Sequence, residues 1–249
     1  MEKTYKLIQS LFSKYSKFKI KIENLLFIIE SINYRLEKVN LKNQQFRIGI
    51  RNFVNEVSPK EYLKQKGIKG LDLDKLNKEF IIEEQGIIPV FQPLLFEFNS
   101  FVISILSFID NIIDLYISIN YCNHPDGKHW DIRQFMRGKY IFKKNISFDF
   151  SKDKLKPIID KAYSSWLDNI IKTRDDIIHR IAKRQHFHFK LELRFWSPKL
   201  GFPIGRKYEL KEFEGYREDL YQLALSTINN VETLTEEIVN QLMNKSKKE

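Results

Sequence analysis

The chain has 249 residues, with 42 Lys and Arg against 32 Asp and Glu, a formal net charge of +10. Hydrophobic residues make up 43% of it, which is enough for a packed core and excludes global disorder. Only 9 Gly and 7 Pro are present, and neither G-x-G-x-x-G nor G-x-x-x-x-G-K-[ST] occurs, which argues against a Rossmann or P-loop nucleotide enzyme. The single cysteine, Cys122, excludes an internal disulfide framework.

The excess of positive charge favours an anionic partner, although the richness in Lys, Ile and Asn is equally typical of a compositional bias. No uninterrupted apolar segment opens the chain, so we expect no signal peptide and a cytoplasmic protein. The most apolar stretch, 87–121, contains Glu97, Asp110 and Asp114. Because unpaired carboxylates are costly in lipid, this stretch predicts a helix buried in a bundle, and we expect no membrane partner.

A long amphipathic helix is predicted over 4–39, since apolar residues recur there every three or four positions. They are Phe18, Ile22, Leu25, Ile29, Ile32 and Leu36. A coiled-coil seam has the same spacing, so pairing with another chain is the alternative to the bundle packing that we favour. Residues 40–86 are less regular, and Ser58-Pro59 is typical of a helix start. We expect short helices or a covering loop there, and divide the chain into an N-terminal segment, 1–86, and a bundle, 87–249.

The second strong helix is predicted over 93–121 and is apolar over most of its circumference, which favours a central position. Pro125-Asp126-Gly127 predicts a turn, and weak alternation over 140–150 is compatible with a strand. Residues 155–184 return to a helical pattern.

Strict alternation of apolar and polar residues over 186–196 then predicts a half-buried strand. A Pro- and Gly-containing loop and a second strand over 208–213 would complete a small β-hairpin insertion near 186–213. A final helix is predicted over 216–244.

The most informative segment lies late in the helix over 155–184, where Arg174 is followed after four residues by His179. Residues five apart on an ideal helix differ in direction by about 140°, so one chain does not aim both side chains at one point. Asp175 and His179 are four apart and share a face, so the carboxylate could orient the imidazole and bias its tautomer. Arg174 could hold a phosphate by a bidentate contact.

This pattern resembles the signature of the HEPN superfamily, which is an Arg, four to six residues and a His, with a small polar residue after the Arg. Asp175 matches that residue, and the resemblance, carried by motif and context, covers roughly residues 90–245. It implies a HEPN-like helical bundle and a metal-independent endoribonuclease of the toxin or antiviral-defence type. Its active site would lie at the cleft of a homodimer and need no cofactor. Arg174, Asp175 and His179 would be the catalytic residues, and RNA the substrate.

In the implied reaction the RNA 2′-hydroxyl attacks the adjacent phosphorus, with His179 as general base or acid and Arg174 on the phosphate. Nearby cations would contact the RNA backbone. They are Lys172, Arg180, Lys183 and Arg184. The resemblance also implies an antitoxin or another defence protein as a partner. In one family variant a partner enzyme modifies a Tyr that lies two residues after the His, and the residue at that position here is Ile181. Control through that Tyr is therefore not expected.

Three alternatives remain open at this point. The motif could be a solvated helix face, with Asp176 and Arg180 as an i,i+4 ion pair. The chain could be a non-catalytic HEPN-type module that binds RNA or nucleotides. It could also be a helical interaction or scaffold protein whose Arg–His spacing is accidental.

Other polar clusters are given structural roles. The metal-capable residues of one loop match no zinc spacing, so no metal site is expected. They are Cys122, His124, Asp126 and His129. His186 and His188 fit the polar face of a strand. Asp110 and Asp114 lie on an apolar helix and should have partners, for which Arg174 or Arg180 are the candidates.

Overall fold

The computed structural model describes residues 1–56, 80–87, 92–142, 146–182, 188–195, 206–213 and 220–244. Within these ranges the chain is mainly helical, as predicted, with two small antiparallel sheets. The predicted helix start at Ser58 and the predicted RNA contacts Lys183 and Arg184 lie outside the described residues, as does His186.

Two helices stand where the sequence predicted one at the N-terminus. Helix α1 spans Glu2–Lys14, a 3-10 turn spans Ser16–Phe18, and α2 spans Lys19–Glu56. The break has a tertiary cause, because the Tyr15 hydroxyl donates to the main-chain oxygen of Leu242 at 2.5 Å. The Lys14 ammonium donates to the same oxygen at 2.8 Å. These bonds satisfy a carbonyl that the end of the last helix leaves unpaired.

The expectation of short helices or a loop over 40–86 is wrong for two parts of that segment. Residues 40–56 continue α2, because Val39, Asn43 and Phe46 keep the core-facing spacing and are buried. Gly49 does not interrupt the helix. Phe80–Ile87 forms strand β1.

Helix α3, Gln92–Asn120, lies at the centre of the bundle, as its composition predicted. It runs antiparallel to α2, since Lys21 contacts Asp114 while Arg35 contacts Glu97. Within the described residues it is the one helix long and apolar enough to cross a membrane, over Pro93–Asn120, but 61% of that window is buried inside the protein. It is therefore accounted for as a core helix.

A compact aromatic segment follows α3. The predicted turn is confirmed: the Gly127 N–H donates to the His124 carbonyl at 2.9 Å, and Gly127 has a φ of 68° that suits glycine. Helix α4, Ile132–Met136, and the hairpin of β2, Lys139–Phe142, with β3, Ile146–Asp149, come next. The weak strand signal over 140–150 is thus a two-stranded hairpin.

The segment predicted as a helix over 155–184 contains three parts in continuous succession. Helix α5 spans Lys156–Ala162, a π-helical turn spans Tyr163–Leu167, and α6 spans Asp168–Ala182. The C-terminal helix α7, Leu220–Asn244, closes the bundle. Buried apolar residues of the seven helices in the described ranges form one hydrophobic core, so both predicted segments, 1–86 and 87–249, contribute to it.

The predicted hairpin near 186–213 is present as β4, His188–Phe195, and β5, Arg206–Phe213. Its strands are antiparallel, with a register shift between Lys190 and Leu191. Strand β1 pairs with the other edge of β4, which makes a three-stranded sheet in the order β1-β4-β5. The third strand was not predicted, since its partner is remote in sequence and local periodicity does not report such pairing.

Candidate functional site

The Arg174–His179 motif lies on α6, a regular α-helix that begins directly after the π-helical turn. Ile170 and Thr173 are buried and anchor one side of this helix in the core, and Leu167, the last residue of the π-helical turn, is buried as well. The remaining sides carry the motif. A π-helical turn widens the helix and changes which residues share a face, and such turns are frequent at functional sites.

Arg174 and Asp175 form a close ion pair at the surface of α6. The Asp175 carboxylate oxygen Oδ1 accepts hydrogen bonds from Nε of Arg174 at 3.0 Å and from Nη2 at 2.5 Å. Both side chains are partly exposed. The structure therefore places this carboxylate against the neighbouring guanidinium and not against the imidazole that it was expected to orient.

His179 is exposed to solvent, together with Ile178 beside it. Among the described residues, none makes a hydrogen bond or an ion pair with His179. Because α6 is regular, Arg174 and His179 leave the helix about 140° apart. The His179 imidazole is therefore accessible from solvent.

The cations around the motif are only partly described. The Lys172 ammonium lies 2.6 Å from the carboxylate of Asp168, one turn earlier. This hydrogen-bonded pair raises the pKa of Lys172 and lowers that of Asp168. Arg180 belongs to α6 by its backbone, and its side chain lies outside the described residues, so its predicted pair with Asp176 does too.

Asp110 and Asp114 of α3 have partners, as expected. The described partners do not include Arg174, and the side chain of Arg180 lies outside the described residues. The Asp110 carboxylate accepts from the Ile132 N–H at 3.0 Å, and burial raises the pKa of Asp110. Arg174 contacts Asp175 instead. The loop after α3 folds back onto it and supplies backbone donors that the sequence pattern does not reveal.

Asp114 is the most completely buried of these acids, with 1% of its side chain exposed. Its Oδ2 accepts from the Lys21 ammonium at 2.6 Å and lies 3.1 Å from Nδ1 of His129. Its Oδ1 accepts from the Trp130 N–H at 2.9 Å. This Asp114 cluster (Lys21, Asp114, His129 and Trp130) joins α2, α3 and the following loop.

The loop residues considered for a metal have separate structural contacts. The buried His124 ring packs on the Trp130 ring at 4.6 Å between centroids, and His124 Nδ1 accepts from the Asp126 N–H. His129 binds Asp114. Cys122 accepts from the Trp130 indole through its carbonyl, and burial raises the pKa of its thiol. The described part of the chain contains no group of three His, Cys, Asp or Glu side chains that could hold a metal.

Sequence reasoning missed a second, partly buried polar cluster. Asp153 accepts from the hydroxyls of Tyr116 at 2.9 Å and Tyr121 at 2.6 Å, and also from the Leu155 N–H. Burial and the neighbouring carboxylate raise the pKa of both phenols. No local pattern signals this contact, because Asp153 lies far along the chain from the tyrosines.

No protein-family model, curated protein or solved structure matches this chain. The proposals below therefore rest on its own residues and on the resemblance of its motif.

Proposed function

We propose that the protein is a metal-independent endoribonuclease in which Arg174 and His179 act together across a homodimer. The observation that carries the proposal is the exposed His179, which has no hydrogen-bond partner among the described residues and lies on the same helix as Arg174. A buried or hydrogen-bonded histidine would be explained by packing. An exposed imidazole and a guanidinium on one helix are groups of the kind that phosphate transfer requires.

A second copy of the chain is part of the proposal for a geometric reason. Arg174 and His179 point about 140° apart on a regular helix, so one copy presents one group to a given phosphate. Cleavage needs a base, an acid and a cation on the phosphate. Two motifs facing each other about a two-fold axis would supply all three.

In the proposed reaction the 2′-hydroxyl oxygen forms a bond to the adjacent phosphorus, and the bond from phosphorus to the 5′-oxygen breaks. One His179 takes the proton of the 2′-hydroxyl, and the other gives a proton to the leaving 5′-oxygen. The products are a 2′,3′-cyclic phosphate and a 5′-hydroxyl. Arg174 would exchange its contact with Asp175 for the phosphate, whose charge develops in the transition state.

The test is cleavage of a labelled RNA in the presence of a metal chelator. His179→Ala and Arg174→Ala are each expected to lower the rate by about 100-fold or more. Each needs a matched control, for which His129→Ala and Arg133→Ala serve, because both side chains are exposed and lie outside the motif. Parental cleavage rates in both motif variants would exclude this site.

Mixing the parent chain with an excess of His179→Ala tests the composite site. If the two His179 side chains of a dimer act as base and acid at one site, most parent chains will pair with the variant, and the activity per parent chain should fall. If each chain acts alone, the activity per parent chain will not change.

Binding without cleavage is the second candidate, and the Arg174–Asp175 pair favours it. A guanidinium already neutralised by a carboxylate contributes less to a transition state than a free one. This candidate predicts salt-dependent RNA binding with no cleavage by any variant. Negligible RNA affinity at physiological salt would instead favour an interaction protein.

A further inference from the structure

The outer surface of α2 carries a row of exposed large apolar side chains at intervals of seven residues. Its members are Ile20, Phe27, Tyr34, Leu41 and Ile48. Ile20 is 73% exposed and Phe27 is 71% exposed, although both are large apolar residues on a well-formed helix. This row is distinct from the apolar stripe predicted from the sequence, whose members Ile22, Leu25 and Ile29 are buried in the core.

Helix α3 extends this surface. Phe96 and Ile103, again seven residues apart, are about half exposed. Because α2 and α3 are antiparallel and Arg35 meets Glu97, these residues lie alongside the middle of the α2 row. On both helices the exposed residues lie on the side opposite the buried core, so they share one outer face.

We propose that this outer face (Ile20, Phe27, Tyr34, Leu41, Ile48, Phe96 and Ile103) binds a second copy of the chain, with the two α2 helices parallel. A row that repeats every seven residues winds slowly around its helix and stays in contact with a supercoiled partner, although this row has one apolar residue in each heptad where a coiled-coil seam has two. The row extends about 42 Å along α2.

The size of the face suits a dimer. At roughly 100–150 Å² of exposed area for each large side chain, the seven residues expose roughly 800 Å². That is about what one partner contributes to a standard protein–protein interface, and more than the largest apolar patch of a typical monomer.

The charges beside the row favour a parallel second copy. An acidic row, Glu23, Glu30 and Glu37, follows one side of the seam and is exposed. Lys38 lies on the other side. A two-fold axis along the helices places the acidic row of each copy against the lysine side of its partner. An antiparallel pair would place the acidic row of one copy against the acidic row of the other. A membrane with anionic lipids would repel the acidic row.

This contact is separate from the motif contact proposed above. The outer face belongs to α2 and α3 on the side away from the core, whereas α6 is a different helix, anchored in the core through Ile170. Either contact can therefore be disrupted, or refuted by experiment, without affecting the other.

The first test is the solution mass, measured by light scattering over a range of concentrations. Phe27→Glu places a charge in the seam of both copies and should raise the dissociation constant at least about 100-fold, halving the mass of the assembly. Ile141→Glu is the matched control, because Ile141 is 69% exposed but lies on β2, away from this face. An unchanged mass in folded Phe27→Glu would overturn the proposal, even if the motif variants lose RNA cleavage.

The second test is disulfide trapping, which does not depend on a disruptive variant. In a Cys122→Ser background, Ile20→Cys alone should cross-link on oxidation, because parallel copies place identical positions opposite each other. Ile48→Cys alone should do the same. Cross-linking only when these two variants are mixed would show an antiparallel pair and refute the proposal. Binding of the parent chain to anionic vesicles through Phe27 would also refute it.

Discussion

Replacing Asp114 with Ala should be among the most destabilising single changes in the described core. The carboxylate is 1% exposed and holds three groups from two other parts of the chain: Lys21 of α2, His129 of the loop and the Trp130 N–H. Removing it leaves the buried Trp130 N–H without an acceptor and Lys21 beside an apolar helix. Both consequences cost free energy of folding.

The magnitude follows from the burial of the pair. Breaking a buried, hydrogen-bonded ion pair from one side typically costs about 3–5 kcal/mol. For a chain of this size that corresponds to a fall in Tm of roughly 6–20 °C. Asp114→Asn keeps an oxygen for the Trp130 N–H while losing the charge, so its cost should lie between those of the parent and Asp114→Ala.

The assay is urea unfolding followed by circular dichroism, with Asp160→Ala as the control. Asp160 and Lys156 form an equally short ion pair, 2.5 Å, but the Asp160 side chain is 47% exposed. Such a surface pair is worth about 0.3–0.5 kcal/mol. If Asp114→Ala costs no more than Asp160→Ala, the reasoning from burial is wrong.

Two further predictions concern the segment that packs on α3. Burial raises the pKa of Asp110, so ionisation of this carboxyl opposes folding, and its contribution to stability should fall as the pH rises from about 4 through the raised pKa. Asp110→Asn keeps the acceptor for the Ile132 N–H and should flatten that part of the curve of unfolding free energy against pH. An unchanged curve would contradict the assignment. The fully buried Trp130 contacts Tyr140, Phe148 and Phe150 edge-to-face. Trp130→Ala should therefore lower the free energy of unfolding, measured with denaturant, by about 3–5 kcal/mol. A loss below about 1 kcal/mol would show that these contacts contribute little.

Features with a local cause were predictable from the sequence. The positions of the bundle helices follow from apolar residues at a spacing of three and four, and the hairpin of β4 and β5 follows from strict alternation. The turn at Gly127 follows from Pro125-Asp126-Gly127. Each pattern acts within a few residues, so tertiary contacts did not have to be known.

Features with a remote cause were not predictable in the same way. The break at Tyr15 depends on a carbonyl at Leu242, and β1 depends on a partner strand that follows about a hundred residues later. The partners of Asp114 come from α2 and from a folded-back loop. In each case the deciding contact forms between segments whose approach the local sequence does not encode.

At the candidate site, too, some features were predictable from the sequence and others depend on tertiary contacts. The sequence alone determined that Arg174, Asp175 and His179 share one helix, and that a charge of +10 accompanies few glycines, so that a phosphate site would have to use side chains. Only the tertiary structure decided that Asp175 binds Arg174, that His179 is exposed, and that one apolar row of α2 is buried while the other faces outward. The physical reason is that periodicity fixes which residues share a helix face, whereas exposure depends on which faces the neighbouring helices cover.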